Sequence, residues 1–294
     1  MHEPEPTAAS YKQLTSIRST RSVAGRWSVL AATSFLGFTY AFAGVYAWLL
    51  GASFDPIIIS PATIPGPLEM GALVILAIVV IAIPHELLHG LVLTAFDGKP
   101  GYGVTLAYGV FPYAYVETRG SYTRNQMLVV LLTPFVVISL AGLATALATR
   151  SYWPLLLAAA NGAGSTGDLW TACRLFAYPS SVRVGPAQTA DGEAFGIYAR
   201  EAVLPDRTFT AIVTGAVGTF TVVVTSLIAL VFVSLAFDSG TVHLGDSDSW
   251  WFLLRHERHP SGQGAVLEVG SVAISVLSLL GGLAWAFLEG VGNE

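Results

Sequence analysis

Apolar residues run along this chain in long blocks rather than in the alternation of strands or the narrow stripe of surface helices. Six blocks reach span length, at about 27–50, 68–96, 127–148, 154–176, 208–237 and 265–288. Each is long enough to supply the roughly 20 apolar residues that carry a helix across a hydrocarbon core of about 30 Å. Between the blocks the period changes. Tyr102 to Ala107 and Phe111 to Thr118 flank Tyr108-Gly109 and predict a hairpin, with Pro112 confining its second strand to an edge. Ser181 to Val184 and Ala194 to Ala199, around Asp191-Gly192, predict a second small β element. Gly51 to Pro67 holds Pro56, Pro61, Pro65 and Pro67 and reads as an apolar loop that cannot be helix throughout. Residues 1–26 are polar and read as a flexible tail ending in a basic segment at the membrane surface. The predicted fold class is an all-α polytopic membrane protein: about six transmembrane helices, small cytoplasmic β-hairpin elements, and one membrane domain over 27–290.

Composition supports that class. Only 11% of the 294 residues are charged and 53% are hydrophobic, against about 25% charged in soluble domains. The net charge of −5 is spread out, which argues against nucleic acid as a partner. The single cysteine, Cys173, excludes an internal disulfide and a thiolate zinc site, and reads as a packing residue. The first apolar run begins after Arg26 and is too long for the 7–15-residue core of a cleaved signal peptide. Lys and Arg are unevenly placed: four lie in the tail, three around the hairpin and four between the fourth and fifth blocks, against three on the opposite side, of 14 in all. The positive-inside rule then predicts a multi-pass protein of the cell membrane with both termini, the hairpin and the Ser181–Ala199 element in the cytoplasm.

The second block carries residues its environment disfavours, His85-Glu86-Leu87-Leu88-His89. Histidines four apart share one helix face at about 6 Å. They can bind one zinc ion together, with Glu86 beside them to take a proton from a bound water. Pro84 removes one helix hydrogen bond and would free the carbonyl of Val80, while Gly90 would admit another backbone. The fourth block contains Asn161-Gly-Ala-Gly-Ser-Thr-Gly-Asp168, either a close-packing helix face or a locally unwound helix lining a polar site. Asp168 favours the second, since a carboxylate at that depth needs a cation or a donor. In the six-span topology the second and fourth blocks run the same way, with His85 about 26 Å and Asp168 about 21 Å along them, within one turn of the same depth. Asp168 is therefore the candidate third ligand beside His85 and His89, leaving a fourth position for water. Glu117 and Glu193 are rivals but lie in loops. Asn161 is the candidate donor for the oxyanion of a peptide-bond transition state. An extended peptide could pair with the edge of the hairpin, in which case Thr105→Pro should slow cleavage without loss of zinc. His256-Glu257-Arg258-His259 reads as solvated charge beside a Trp250-Trp251 interfacial anchor.

These residues resemble site-2-protease-type intramembrane zinc metalloproteases, and more closely a zincin peptidase family of unassigned substrate. In that family an H-E-L-x-H-G pattern precedes a Gly- and Tyr-rich hairpin, an N-x-x-x-S-x-G-D segment and a cytoplasmic strand element. Here those are His85 to Gly90, Tyr102 to Tyr115, Asn161 to Asp168 and Thr189 to Tyr198. The resemblance spans roughly 68–200 and implies one Zn2+ held by His85, His89 and Asp168, with Glu86 as base. Site-2 enzymes usually carry prolines between the Asn and the Asp and a Gly after the Asp; this chain has Gly and Ser between them and Leu169 after. Regulated cleavage of a transmembrane transcription regulator therefore does not follow. The expectation is a membrane-embedded zinc metalloprotease acting on a membrane protein or peptide in or near the lipid bilayer. A prenyl-protein-type membrane zinc protease would use a Glu as third ligand, for which the Glu residues here are poorly placed. The alternative is a non-proteolytic zinc-binding scaffold or a transporter that retains the site; a transporter should show internal repetition, and the blocks show none.

Overall fold

The computed structural model describes residues 11–18, 21–52, 57–59, 66, 68–69, 72, 76–107, 111–187, 194–237, 241–258 and 265–291. Among them the chain is mostly helical. Helix α1 is Arg21–Leu50. A wide π-helical turn, Ile78–Ala82, leads into α2, Ile83–Ala95, with Pro84 in its first turn. A proline there has no donor to give the preceding turn, and the wide turn takes up the mismatch. Then follow α3 (Arg124–Thr149), α4 (Trp153–Gly164), α5 (Thr166–Phe176), α6 (Thr208–Ala236) and α7 (Ser271–Val291). Four of these, α1, α3, α6 and α7, are long and apolar enough to cross a membrane.

Six spans are not counted among the described residues: of the second block, which they cover only in part, Val80–Ala95 is a short apolar helical stretch, and the fourth block is two helices, of 12 and 11 residues, joined at Ser165. Two hydroxyls back-bond at that junction. Ser165 Oγ bonds the Asn161 carbonyl at 2.8 Å and Thr166 Oγ1 bonds the Ala163 carbonyl at 2.7 Å, a back-bonding pattern that bends helices. The sixth block is also shorter as helix than expected. Its start, Ala265–Val269, is a strand, since a short Val- and Leu-rich run serves either state and its neighbours decide.

Among the described residues ten strands form three sheets. The first has the order β1-β7-β6-β5, from Lys12–Arg18, Ala194–Ala199, Arg183–Pro186 and Tyr122–Thr123. The second has the order β2-β10-β9-β8, from Ile57–Ile59, Ala265–Val269, Leu254–Arg258 and Thr241–Leu244. The third is the expected hairpin, β3 (Gly101–Ala107) with β4 (Phe111–Glu117); its turn Tyr108-Gly109 and the turn Asp191-Gly192 lie outside the described residues. The flexible-tail expectation fails for Lys12–Arg18, which pairs antiparallel with β7 and packs Leu14 on the core. A polar strand gives no hydropathy signal when its partner lies far along the chain.

Strand alternation also corrects the reading of the 256–259 cluster. In β9, Arg255 and Glu257 point outward and pair at 2.9 Å, while His256 turns inward, 1% exposed, with Nδ1 3.4 Å from Ser234 Oγ. His259 lies outside the described residues.

The main core gathers Leu93 of α2, Met127, Leu128, Val130 and Leu131 of α3, Leu175 of α5, and Val184 and Ile197 of the first sheet. It therefore sits where three helices meet that sheet, directly beside the histidines. A capping box opens α3: Thr123 Oγ1 accepts from the Gln126 amide at 3.3 Å and Gln126 Oε1 accepts from the Thr123 amide at 2.9 Å. Helices α6 and α7 pack closely through small residues; a methyl on Gly215 or Gly282 would strike the Trp285 side chain or the Ile212 carbonyl.

Candidate metal centre

His85 and His89 lie on one face of α2, buried, with ring centroids 4.8 Å apart and ring planes at 78°. Each ring is held by its Nδ1. His89 Nδ1 lies 2.8 Å from the carbonyl of Val130 in α3. A carbonyl only accepts, so this nitrogen carries the hydrogen. His85 Nδ1 lies 2.9 Å from Asn161 Oδ1 in α4. The Asn161 amide nitrogen donates to the Pro134 carbonyl at 3.4 Å, which fixes the end of the amide facing His85. His85 therefore also carries its hydrogen on Nδ1.

Both Nε2 atoms are consequently bare lone pairs, and they converge. They stand 3.1 Å apart, and Asp168 Oδ2 lies 3.1 Å from that of His85 and 3.3 Å from that of His89. Three electron-rich atoms facing one another without a donor are unfavourable in a dry site unless a cation or an added proton sits among them. Tetrahedral zinc, with bonds of about 2.0–2.1 Å, separates its ligands by about 3.3–3.4 Å. The triangle matches that spacing to within about 0.3 Å, so the donor set fits the ion. Asp168 occupies the first turn of α5, where the amide dipoles favour a carboxylate, and the break at Ser165 creates that turn.

His85, His89 and Asp168, expected as a set, are thus together, and among the described residues they form the group able to hold a metal ion. Glu117 stands at the end of β4 opposite Gly101 and is not part of the group; Glu193 lies outside the described residues. Glu86 is one step, about 100°, around α2 from His85, and the backbone amide of Val116 in β4 points to its carboxylate. Asn161 differs from expectation. It is 1% exposed with both ends of its amide engaged behind His85, so its N–H groups do not face the open side of the site.

Three contributors were not among the expected site residues: the Val130 carbonyl, Pro134 and Tyr102. Gly90, the residue after the second histidine, lies under the Tyr102 hydroxyl, which a methyl group there would strike; the hairpin is seated against α2 through this contact. A cavity of about 810 Å³ opens on the other flank of α2, lined by Pro84, Leu88 and Leu91 with Ala141 of α3 and Leu157 of α4. Leu87, Thr94 and, from the hairpin, Tyr102 also line it, so the cavity wraps around α2 toward the hairpin.

Two imidazoles four residues apart and a carboxylate from another helix make a metal-ligand set of the metallopeptidase type. A family model described as "Putative zincin peptidase" matches residues 77–183, a little over a third of the chain, and spans all three of these residues. That similarity suggests a zinc metallopeptidase; it carries no site-2-protease assignment. No curated protein and no solved structure matches the chain.

Proposed function

We propose that the protein is a membrane-embedded zinc endopeptidase with His85, His89 and Asp168 as ligands and Glu86 as general base. The observation that carries this reading is the convergence of two Nε2 lone pairs and one carboxylate oxygen within 3.3 Å, each ring tied by its far nitrogen. Zinc, when bound, supplies a Lewis acid that polarises a carbonyl and acidifies a water. Glu86 then accepts a proton from the attacking water and passes it to the departing nitrogen, as a base adjacent to the ligands can. Asn161 holds the His85 ring in the orientation and tautomer the ligand set needs. Asp168 supplies the one negative charge of the set, offsetting half the charge of a divalent cation.

The hairpin supports a substrate mode. Pro112 lacks an N–H, so its pair with Leu106 is a non-hydrogen-bonded one and the position faces away from β3. Alternation places Ala114 and Val116 on the same outer edge, and the Val116 amide points to Glu86. An extended segment of a membrane protein or peptide pairing with that edge would pass alongside the base.

The test is a pair of measurements on purified protein. Wild type should hold one zinc per chain, and Glu86→Gln should hold the same zinc while retaining an enriched membrane protein or peptide that wild type does not. A Glu86→Gln protein that fulfils the full cellular role would leave the scaffold or transporter reading, since a structural zinc needs no base.

A further inference from the structure

We infer that Pro134 is a positioning residue for the metal centre: by removing one helix donor it reserves the Val130 carbonyl for His89. The inference rests on the zinc reading above. In an uninterrupted α3 the amide of residue 134 would bond the carbonyl four residues earlier, which is Val130. Proline has no such hydrogen. Val130 is 4% exposed and Pro134 is fully buried, so water does not supply the missing partner. A buried carbonyl without one is costly, most of all inside a membrane helix. His89 Nδ1–H fills that vacancy at 2.8 Å, from a residue 41 positions away.

The same proline serves the other imidazole. Its own carbonyl accepts from the Asn161 amide nitrogen at 3.4 Å, and that bond turns Asn161 Oδ1 toward His85 Nδ1. One stretch of α3 thus holds both rings, His89 through the carbonyl that the missing proline donor leaves open and His85 through a backbone carbonyl that position 134 offers with any residue. Their Nε2 lone pairs then meet Asp168 without rearrangement when a cation arrives. Hydrogen-bond partners on the far nitrogens of metal-bound histidines commonly govern affinity by about 10–100-fold. Val130 and Pro134 are the two carbonyls at the far end of this network, and the proline links them.

The experiment uses the full chain in detergent, with zinc affinity read by competition against a chelator and geometry read from the electronic spectrum of bound Co2+. Pro134→Ala restores an amide that competes for the Val130 carbonyl. It should weaken zinc binding about tenfold and shift the Co2+ spectrum, while the metal-free protein melts no lower than wild type, because alanine suits a helix interior better. Lactic acid at position 134, which also lacks the N–H but has no ring, should restore wild-type affinity. Wild-type affinity in Pro134→Ala would overturn the inference. So would a lactic-acid variant as weak as the alanine one, because ring shape rather than the missing donor would then be responsible. Wild-type protein that binds no zinc overturns the zinc reading and, with it, this one.

Discussion

Replacing Asn161 separates two roles that its chemistry allows. If it orients His85, Asn161→Ala leaves the Nδ1–H of a buried ring without the acceptor now at 2.9 Å. An unsatisfied buried donor costs about 1–3 kcal/mol, which at about 1.4 kcal/mol per tenfold is a loss of roughly 5- to 150-fold in zinc affinity. That range brackets the roughly 10- to 100-fold expected for losing the partner of a metal-bound histidine. If Asn161 were an oxyanion donor, affinity would hold and turnover at saturating zinc would fall about 10²- to 10³-fold. Asn161→Asp sharpens the contrast. A carboxylate still accepts from Nδ1–H but loses the bond to the Pro134 carbonyl, so zinc affinity should lie between those of wild type and Asn161→Ala, whereas it cannot donate to an oxyanion. The assay is chelator competition in detergent micelles, followed by turnover at saturating zinc. Tight zinc binding by Asn161→Ala together with collapsed turnover would refute the orienting role.

Two further outcomes follow from the strands. Ala114→Pro should keep the hairpin, because its amide faces the open edge, yet slow cleavage of whatever substrate Glu86→Gln retains; unchanged turnover removes strand pairing from the mechanism. Thr105→Pro is the poorer probe, since position 105 lies in a hydrogen-bonded pair with Tyr113 and proline there should disrupt β3–β4 itself, visible as a lower melting temperature. Removing residues 1–18 should lower the melting temperature through the lost β1–β7 pairing while the folded fraction keeps its zinc affinity, and an unchanged melt would show that β1 contributes nothing to stability.

The grouping of His85, His89 and Asp168 was legible in the sequence because each part follows from spacing: i and i+4 on a helix for the histidines, matching depth for Asp168. The hairpin and β7 were legible from alternation. What holds the rings was not. The Val130 carbonyl belongs to the backbone, which carries no signature in the side-chain pattern, and it lies 41 residues from His89. The principle that a proline frees a carbonyl was available, but applied to Pro84 it points to Val80; the proline that serves the site is Pro134, on another helix. Asn161 was expected as an oxyanion donor, and its place behind the His85 ring was not legible, because the residue pattern settles neither the rotamer nor the face. Strand β1 escaped because a polar heptapeptide becomes a strand only when β7, nearly the whole chain away, offers an edge.

The sheets bear on where water meets the metal. Strands β1, β5, β6 and β7 come from the three stretches that hold most of the Lys and Arg, β2, β8 and β9 from other connecting stretches, and β10 from the start of the sixth apolar block. Helices α1 and α6, about 45 and 43 Å long by their 30 and 29 residues, connect the first sheet to the second and exceed a hydrocarbon core of about 30 Å. His85 lies about 15 Å before the end of α2, and Asp168 about 12 Å before the end of α5, both measured toward the first sheet. The ligands are therefore nearer that end, beside the core that joins α2, α3 and α5 to it. Side-chain exposure grades the same way within the set: 6% for His89, 10% for His85 and 23% for Asp168. Asp168 is thus the least covered corner of the triangle, while the imidazoles lie against α3 and α4. Under the proposed hydrolytic reading, a covered wall would fix the ligands and the more open corner would admit the nucleophile.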